Sequence, residues 1–522
     1  MADYDAIVVG AGHNGLICAL YLARAGYRVL VVEQSIDVGG AVQTAEVTLP
    51  GFKHDLFASN LTPFTTSPAY RELKSEFDSL GLRFLSNNCP FASAYADGRI
   101  ARVYRDPETT KFEMARHSAE DLAGWQRAVT LFKESAPDFL PLQFTTLPSF
   151  EMIRQVGRIL TGGPSTALRL GHMLSQTCRQ FVDRYFSSPE VKGLFTPWAF
   201  HVDYGPDIRG GAMFALVSAM SAYVRGMHVA EGGAGQVIAA IRTLLERSGG
   251  SILTAATVTR IQVLGGRAVG IKTARGDVIT ADKAIVANVT PKKLFGELVS
   301  SDSLPSGFSR RIRRFRYGAG TFVVHLALDR KLEWKAAEDL SDFNYIHLHG
   351  TADEISRAYS QSQVGMIPTH PLLIVSQTSQ VDPSRAPAGR HVARVHARAF
   401  PSTVVGDAGG QIKGYAWDEI KDAVADRIID LLAVQAPNLK SNLLARHVVS
   451  PLDLERNNPN LVGGDCNGGS AHLDQHYFAR PILGWSRYST PIRQLYMIGA
   501  SQWPGSGVNG SSGYLVAKQL LR

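Results

Sequence analysis

Cysteine is scarce: Cys18, Cys89, Cys178 and Cys466 are the only four in 522 residues, and they lie far apart. No C-x-x-C pair and no zinc-ligand spacing occurs among them, so a flavin disulfide reductase with its dithiol relay is disfavoured, no metal site is expected, and the thiols read as reduced and structural. Long hydrophobic runs are missing too. No stretch reaches the roughly 18 uninterrupted apolar residues that a membrane-spanning helix needs, which predicts a soluble, cytoplasmic or at most surface-bound protein. Residues 6–9 and 16–25 are largely apolar, but Asp3 and Asp5 stand where a secretory segment wants positive charge, and the start reads as mature sequence. Acidic residues are the minority, 46 against 54 Lys and Arg, and the net charge of +8 favours anionic neighbours. Repeats of fixed period and low-complexity tails are absent as well.

What is present is ordinary globular material, 45% hydrophobic and 19% charged, in a chain longer than a single core supports, so two or more domains are expected. Residues 5–33 read as strand, helix, strand: a buried strand at 6–9, a helix over 15–25 stopped by Gly26, and a second strand at 28–33. That is a βαβ unit, and it implies a parallel sheet. A mixed segment runs to about residue 147, followed over 149–227 by helical periodicity rich in large apolar side chains. This stretch fits an inserted substrate domain or cap, and equally an ordinary helical core. From Glu231 the pattern returns to the first domain. A helix is predicted over 235–247, with strands at 252–260, 267–274, 278–279 and 284–287. A second β-rich region includes strands at 321–328 and 372–377 and a long helix over 417–434. A last strand follows at 495–498.

Gly10-Ala11-Gly12-His13-Asn14-Gly15 is a G-x-G-x-x-G placed between strand and helix. Gly10 permits the tight turn, Gly12 lets backbone approach a pyrophosphate, Gly15 brings helix against strand, and the anion sits on free N–H groups at the positive helix end. Such a hexapeptide also occurs as a glycine turn without ligand. Here Glu33 closes the second strand, where an acidic side chain accepts from ribose hydroxyls. Gly39-Gly40-Ala41 then adds a second glycine pair for the same pyrophosphate, which a longer, buried FAD requires and a nicotinamide cofactor does not.

A second G-x-G-x-x-G, Gly505 to Gly510, has only twelve residues after it. That is too few for another nucleotide unit. It reads as a turn opening a last helix over 511–521 that aims its positive end at the flavin ring, where reduced flavin carries negative charge. The alternative is a glycine-rich loop that merely packs.

These residues, together with Glu231-Gly232-Gly233, Gly249-Gly250, Tyr477-Phe478-Ala479-Arg480-Pro481 and Gly499-Ala500, resemble the phytoene-desaturase-like branch of the FAD-dependent amine oxidase superfamily. The likeness spans nearly the whole chain and is greatest toward the pyridine nucleotide-disulfide oxidoreductase domain-containing 2 subgroup. The resemblance implies an α/β fold in which a Rossmann-like, glutathione-reductase-type FAD-binding domain (1–75, 228–295 and 485–522) is interleaved with a β-sheet plus helical substrate domain (76–227 and 296–484). It further implies that the Val258 backbone meets adenine and that Gly499-Ala500 approaches the ribityl chain. Gly507, Val508 and Asn509 would meet the pyrimidine edge, and Ser59 and Asn60 would lie near the isoalloxazine. Ala41 departs from the arginine that many relatives carry after the glycine pair, which removes a phosphate contact.

The resemblance implies an oxidoreductase, whether dehydrogenase, desaturase or isomerase, that moves hydride from a hydrophobic, unsaturated or isoprenoid-like substrate to flavin N5. Flavin amine oxidation and a non-catalytic FAD-fold escort are the alternatives. Trp198, His201, Tyr223 and Trp503 are candidates for lining a substrate channel, although core packing is the commoner role for any one such side chain. His201 is the candidate general acid or base, against a plain core or surface histidine. Arg310, Arg311, Arg313, Arg314 and Arg316 form a run that suits an anionic membrane surface or, equally, a solvated helix face. No nucleic-acid module accompanies the charge, and both monomer and oligomer remain open.

Overall fold

The computed structural model describes residues 2–161 and 164–522; Gly162-Gly163, inside the stretch read as helical over 149–227, lie outside the described residues. The chain opens as expected, with strand β1 (Tyr4–Val9), helix α1 (His13–Arg24) and strand β2 (Val29–Val32). The continuous apolar runs of β1 and β2 follow from burial on both faces of a parallel sheet. Strand order in that sheet is Leu495–Met497, Val278–Ala287, β1, β2 and Ser251–Leu253, all parallel. An antiparallel meander, Val258–Leu264 and Arg267–Thr273, shares the first half of the 278–287 strand. Two expectations are corrected here. The pieces read at 278–279 and 284–287 are one ten-residue strand, because its first half lies in the half-exposed meander and only its second half in the buried sheet. Conversely, the single strand read at 252–260 splits at Ala255, which turns through φ +51° and carries the chain from sheet to meander.

Helix α1 is buried from Asn14 to Ala23. It packs beneath the C-terminal helix, Ser511–Leu520, so closely that a Cβ on Gly513 would lie 1.9 Å from the Asn14 carbonyl oxygen. A glycine is therefore required at that crossing. The two ends of the chain share one core, with Leu16, Ile17 and Leu20 meeting Ile498, Val508, Val516 and Ala517.

The second sheet has seven strands in the order Leu443–Val449, Gly320–Leu328, His391–Phe400, Leu373–Ser376, Tyr345–His349, Phe91–Tyr95 and Ile100–Val103. Its pairs are antiparallel except 345–349 with 91–95. One face packs on the long helix Trp417–Gln435 through Val324, Leu326, Val395 and Ala397. The other face looks toward the nucleotide domain. Helices Phe150–Thr161, Pro164–Ser175, Cys178–Tyr185, Thr196–Phe200 and Gly211–Arg225 form the cap. The cap begins earlier than the sequence reading placed it: the mixed segment before residue 147 contains helices Pro107–His117 and Ala119–Phe139. Their N-caps, Asp106 accepting from the Thr109 amide and Ser118 from the Asp121 amide, were the overlooked start signals.

Candidate flavin site and substrate cavity

Parallel strands deliver ligand sites at their carboxyl ends. Here three such ends, Val9, Ala287 and Met497, converge on one cavity of about 1410 Å³. Gly10 sits at φ +97°, and a Cβ on Gly15 would lie 2.2 Å from the Gly10 carbonyl oxygen, so the turn closes only with glycine. The second glycine pair folds onto the first. The Gly39 amide donates to the Ala11 carbonyl at 2.9 Å, and a Cβ on Gly40 would stand 3.1 Å from the Gly12 Cα. At the start of α1 the first amides have no intrahelical acceptor and point into this glycine-walled space. The space is a cradle for an anion.

Glu33 lines the cavity beside this cradle; its Oε2 accepts from the Ala11 amide at 2.7 Å and its Oε1 from the Ser35 amide at 3.0 Å. The carboxylate is thereby fixed, with lone pairs left for hydroxyl donors. Ala256 and Val258 line the same end, and Asn14, Gly12 and Gly10 line the cradle, whereas Ala11, Gly15 and Gly39 support it from behind.

The final helix stands beside α1. Asn509 Oδ1 accepts from the Ser511 amide at 2.8 Å, the Ser512 hydroxyl donates to Asn14 Oδ1 at 3.0 Å, and the Gly499 amide donates to the Ser512 hydroxyl at 2.9 Å. His13 is half-buried beside this loop, and desolvation there pulls its pKa down to about 4. The G-x-G-x-x-G at 505–510 is thus a turn into the last helix, with Gly499, Ala500, Gly507, Val508 and Asn509 on the cavity wall. Asn288, which the sequence reading missed, locks the arrangement. Its amide donates to the Val9 carbonyl and its Nδ2 to the Gly10 carbonyl, and Gly499 packs so near its Oδ1 that a Cβ there would stand 2.8 Å away.

Across the cavity lies the second sheet. Ala41, Ser59 and Asn60 line the junction, and the Ser59 hydroxyl meets the Tyr345 hydroxyl at 3.1 Å. Trp198 stacks on His201 with ring centroids 4.9 Å apart, and both line the cavity. His201 Nε2 stands 3.1 Å from His347 Nε2. Burial, then the nearby His347, Arg398 and Arg394, holds His201 well below the usual histidine pKa, so it stays neutral near pH 7. The same surroundings oppose its protonation, so it is a weak base. Trp503 lines the cavity with its indole N–H fixed on the Thr145 carbonyl at 3.0 Å. Tyr223 is elsewhere: its ring packs edge-on against Trp125 at 5.2 Å, and it is not part of the cavity wall. In the arginine run Ile312 and Phe315 are buried, Arg316 pairs with Asp474 and Arg311 donates to the Leu483 carbonyl, so only guanidiniums face outward. Sequence reading also missed Arg394, His396 and Arg398 on the cavity wall.

A glycine-walled anion cradle, a fixed acidic side chain at the end of β2 and a second helix start over the same cavity define a dinucleotide-binding protein with a separate substrate sheet. The donor set fits FAD: backbone amides for the phosphates, Glu33 for ribose, and a long cavity running on past Gly499 to Asn509. The chain belongs to the flavin containing amine oxidoreductases, whose family pattern matches residues 15–521. It is 28% identical to pyridine nucleotide-disulfide oxidoreductase domain-containing protein 2 of Rattus norvegicus, over 100% of this chain and 94% of the relative. It is 24% identical to a lycopene-forming phytoene desaturase of Paracoccus sp., over 98% and 96% of the two chains. The fold matches cyclohexylamine oxidase from Brevibacterium oxydans with a TM-score of 0.60 at 17% identity, covering 99% of both chains. The protein is an FAD-dependent oxidoreductase.

Proposed function

We propose that the enzyme oxidises, desaturates or isomerises a lipophilic, unsaturated isoprenoid-like substrate. FAD, when bound, supplies a two-electron acceptor at ring N5. The chain's residues provide the rest. Gly10, Gly12 and Glu33 position the nucleotide, and the last helix presents positive backbone charge through Val508 and Asn509. Leu170, Leu174, Met213, Phe214 and Val217 of the cap give the cavity an apolar, water-excluding wall. That apolar wall is the observation that carries the substrate class, and the 24% identity to a phytoene desaturase supports it. His201 faces the cavity, but the burial and guanidiniums that keep it neutral also make it a weak base, so it serves as a polar wall group rather than as a proton acceptor. Amine oxidation is disfavoured: at the His201 end the charged wall residues are Arg394 and Arg398, which repel an ammonium group.

Peripheral membrane contact belongs to the same proposal. Arg310, Arg311, Arg313 and Arg314 are exposed, and Phe150 and Ile153 are 81% and 61% exposed on a helix whose Glu151, Gln155 and Ile159 line the cavity. Among the described residues no helix is long and apolar enough to cross a membrane.

The test is anaerobic mixing of the purified holoenzyme with terpenoids, polyenes and primary amines while flavin absorbance is followed. The expected result is bleaching, or substrate isomerisation without bleaching, by an unsaturated lipophile. Bleaching by amines alone overturns the substrate class. A colourless protein that refuses added FAD overturns the enzyme and favours an escort.

A further inference from the structure

The fold shows twice how it treats a buried structural arginine. Arg385, 0% exposed, donates Nε to Asp382 at 2.7 Å and Nη2 to Asp55 at 3.0 Å. Arg480, also 0% exposed, gives its guanidinium to the carbonyls of Ala500, Ser470 and Asn467, and burial lowers its pKa to about 10. Arg394 and Arg398, each 8% exposed, are treated differently. They stand two residues to either side of His396 on strand His391–Phe400, so all three project from the sheet face that lines the cavity.

Neither Arg394 nor Arg398 makes an ion pair among the described residues. Arg398 reaches two neutral oxygens, the His201 carbonyl at 2.6 Å and the Thr321 hydroxyl at 3.2 Å, and its Nε is buried without a partner. Arg394 Nε is likewise buried and unpartnered. Asp55, whose charge reaches Arg394, is already engaged by Arg385, by the Thr44 hydroxyl and by the Ala234 amide. The remaining neighbours supply no negative charge: His325 pairs across the strand from Arg394, and burial together with the arginines keeps it and His396 neutral. Burying a cation without a counterion costs several kcal/mol. Arg480 lacks a counterion too, yet its guanidinium is satisfied by carbonyls. Arg394, whose side chain makes no hydrogen bond among the described residues, and Arg398, whose Nε is orphaned, flank His396 on a cavity wall and are accounted for when the ligand brings the anion.

We propose that the substrate carries an anionic group, a carboxylate or a phosphate ester, that docks on Arg394 and Arg398 while its apolar chain runs between Leu170, Leu174, Met213, Phe214 and Val217 of the cap. This rests on the lipophilic-substrate reading and narrows it: the occupant is an amphiphile with one charged end, not a hydrocarbon. Guanidinium forks match both anions, so carboxylate and phosphate are probed separately.

The test is calorimetric titration of the holoenzyme with farnesoic acid, farnesyl phosphate and farnesol, and in parallel with dodecanoate and dodecanol. At least one anion is expected to bind roughly tenfold or more tightly than the alcohol of the same skeleton. Arg394→Gln should abolish that preference while farnesol binding stays within about threefold, and Arg394→Lys should restore part of it. The two anions distinguish an acid from a phosphate ester. A preference seen only with dodecanoate keeps the anion and sinks the isoprenoid skeleton. Equal binding of acid and alcohol, no binding of any anion, or an Arg394→Gln protein that has lost its FAD overturns the proposal. A second readout needs no ligand. Ligand-free Arg394→Met holoenzyme should melt at a higher temperature than wild type, because a charge without a counterion is removed, and a lower melting temperature counts against the inference.

Discussion

At the nucleotide end of the cavity the polar groups are mostly backbone, and their supporting side chains are partnered: Glu33 by two amides, Asn14 by Ser512, Asn288 by the Gly10 carbonyl. At the sheet end the polar groups are side chains, and several have no partner: Trp198 Nε1, His396 Nε2 and the Nε atoms of Arg394 and Arg398. A backbone cradle recognises what every dinucleotide shares. Unsatisfied buried side chains carry a cost that a particular ligand relieves, so the second end is where selectivity resides.

The sharpest way to break this comparison is to set one buried arginine against another. Arg385→Met leaves Asp55 and Asp382 buried without their cation, and should destabilise the protein by about 3–5 kcal/mol in urea unfolding of the FAD-saturated enzyme. The same change at Arg394 is expected to have the opposite sign. If both substitutions destabilise alike, the distinction between a structural and a ligand-directed arginine is lost.

A smaller effect tests the backbone end. A methyl at Gly15 meets the Gly10 carbonyl at 2.2 Å, so Gly15→Ala must push the turn open. The overpacking costs about 1–3 kcal/mol, and if that cost falls on the nucleotide-bound state the hold on FAD weakens by about five- to 150-fold. The ratio of flavin to protein absorbance after dialysis reads it directly. Retention at the wild-type level would mean that the cradle tolerates a side chain and is not shaped by the nucleotide.

The nucleotide end was legible in sequence because its information is local. Gly10, Gly12 and Gly15 lie within one turn, Glu33 follows at the length of a βαβ unit, and glycine's role is dictated by backbone geometry. The last helix was legible for the same reason. Asn288 was not, since a single asparagine after a strand acquires meaning only when the ends of β1 and the 495–497 strand arrive beside it. The run His391-Val392-Ala393-Arg394-Val395-His396-Ala397-Arg398 hid its role differently. The strand itself was missed in the sequence; alternating polar and apolar residues suit a strand half-exposed to water, and nothing local says that the polar face borders a cavity. Tyr223 shows the converse error. Ser218, Ser221 and Ala222 of its helix line the cavity, but the tyrosine's own position on the helix turns it to Trp125.

The weakest expected effect concerns pH, and it separates the two ends once more. Burial lowers the pKa of His347 to about 3, against an ordinary value of 6.5. The folded protein therefore binds fewer protons at this site than the unfolded chain below pH 6.5, and stability falls as pH drops from 6.5 toward 3. Between pH 7 and about 5.5, one such histidine accounts for about 1 kcal/mol of the loss. In His347→Asn the stability difference between those two pH values, from urea midpoints at saturating FAD, should shrink by that amount. His201 faces His347 at 3.1 Å and is held neutral partly by it, so the variant should also carry a His201 that titrates nearer its ordinary value. An unchanged pH dependence of stability would show that His347 reaches water in the folded state and that the layer behind His201 is as solvated as a surface.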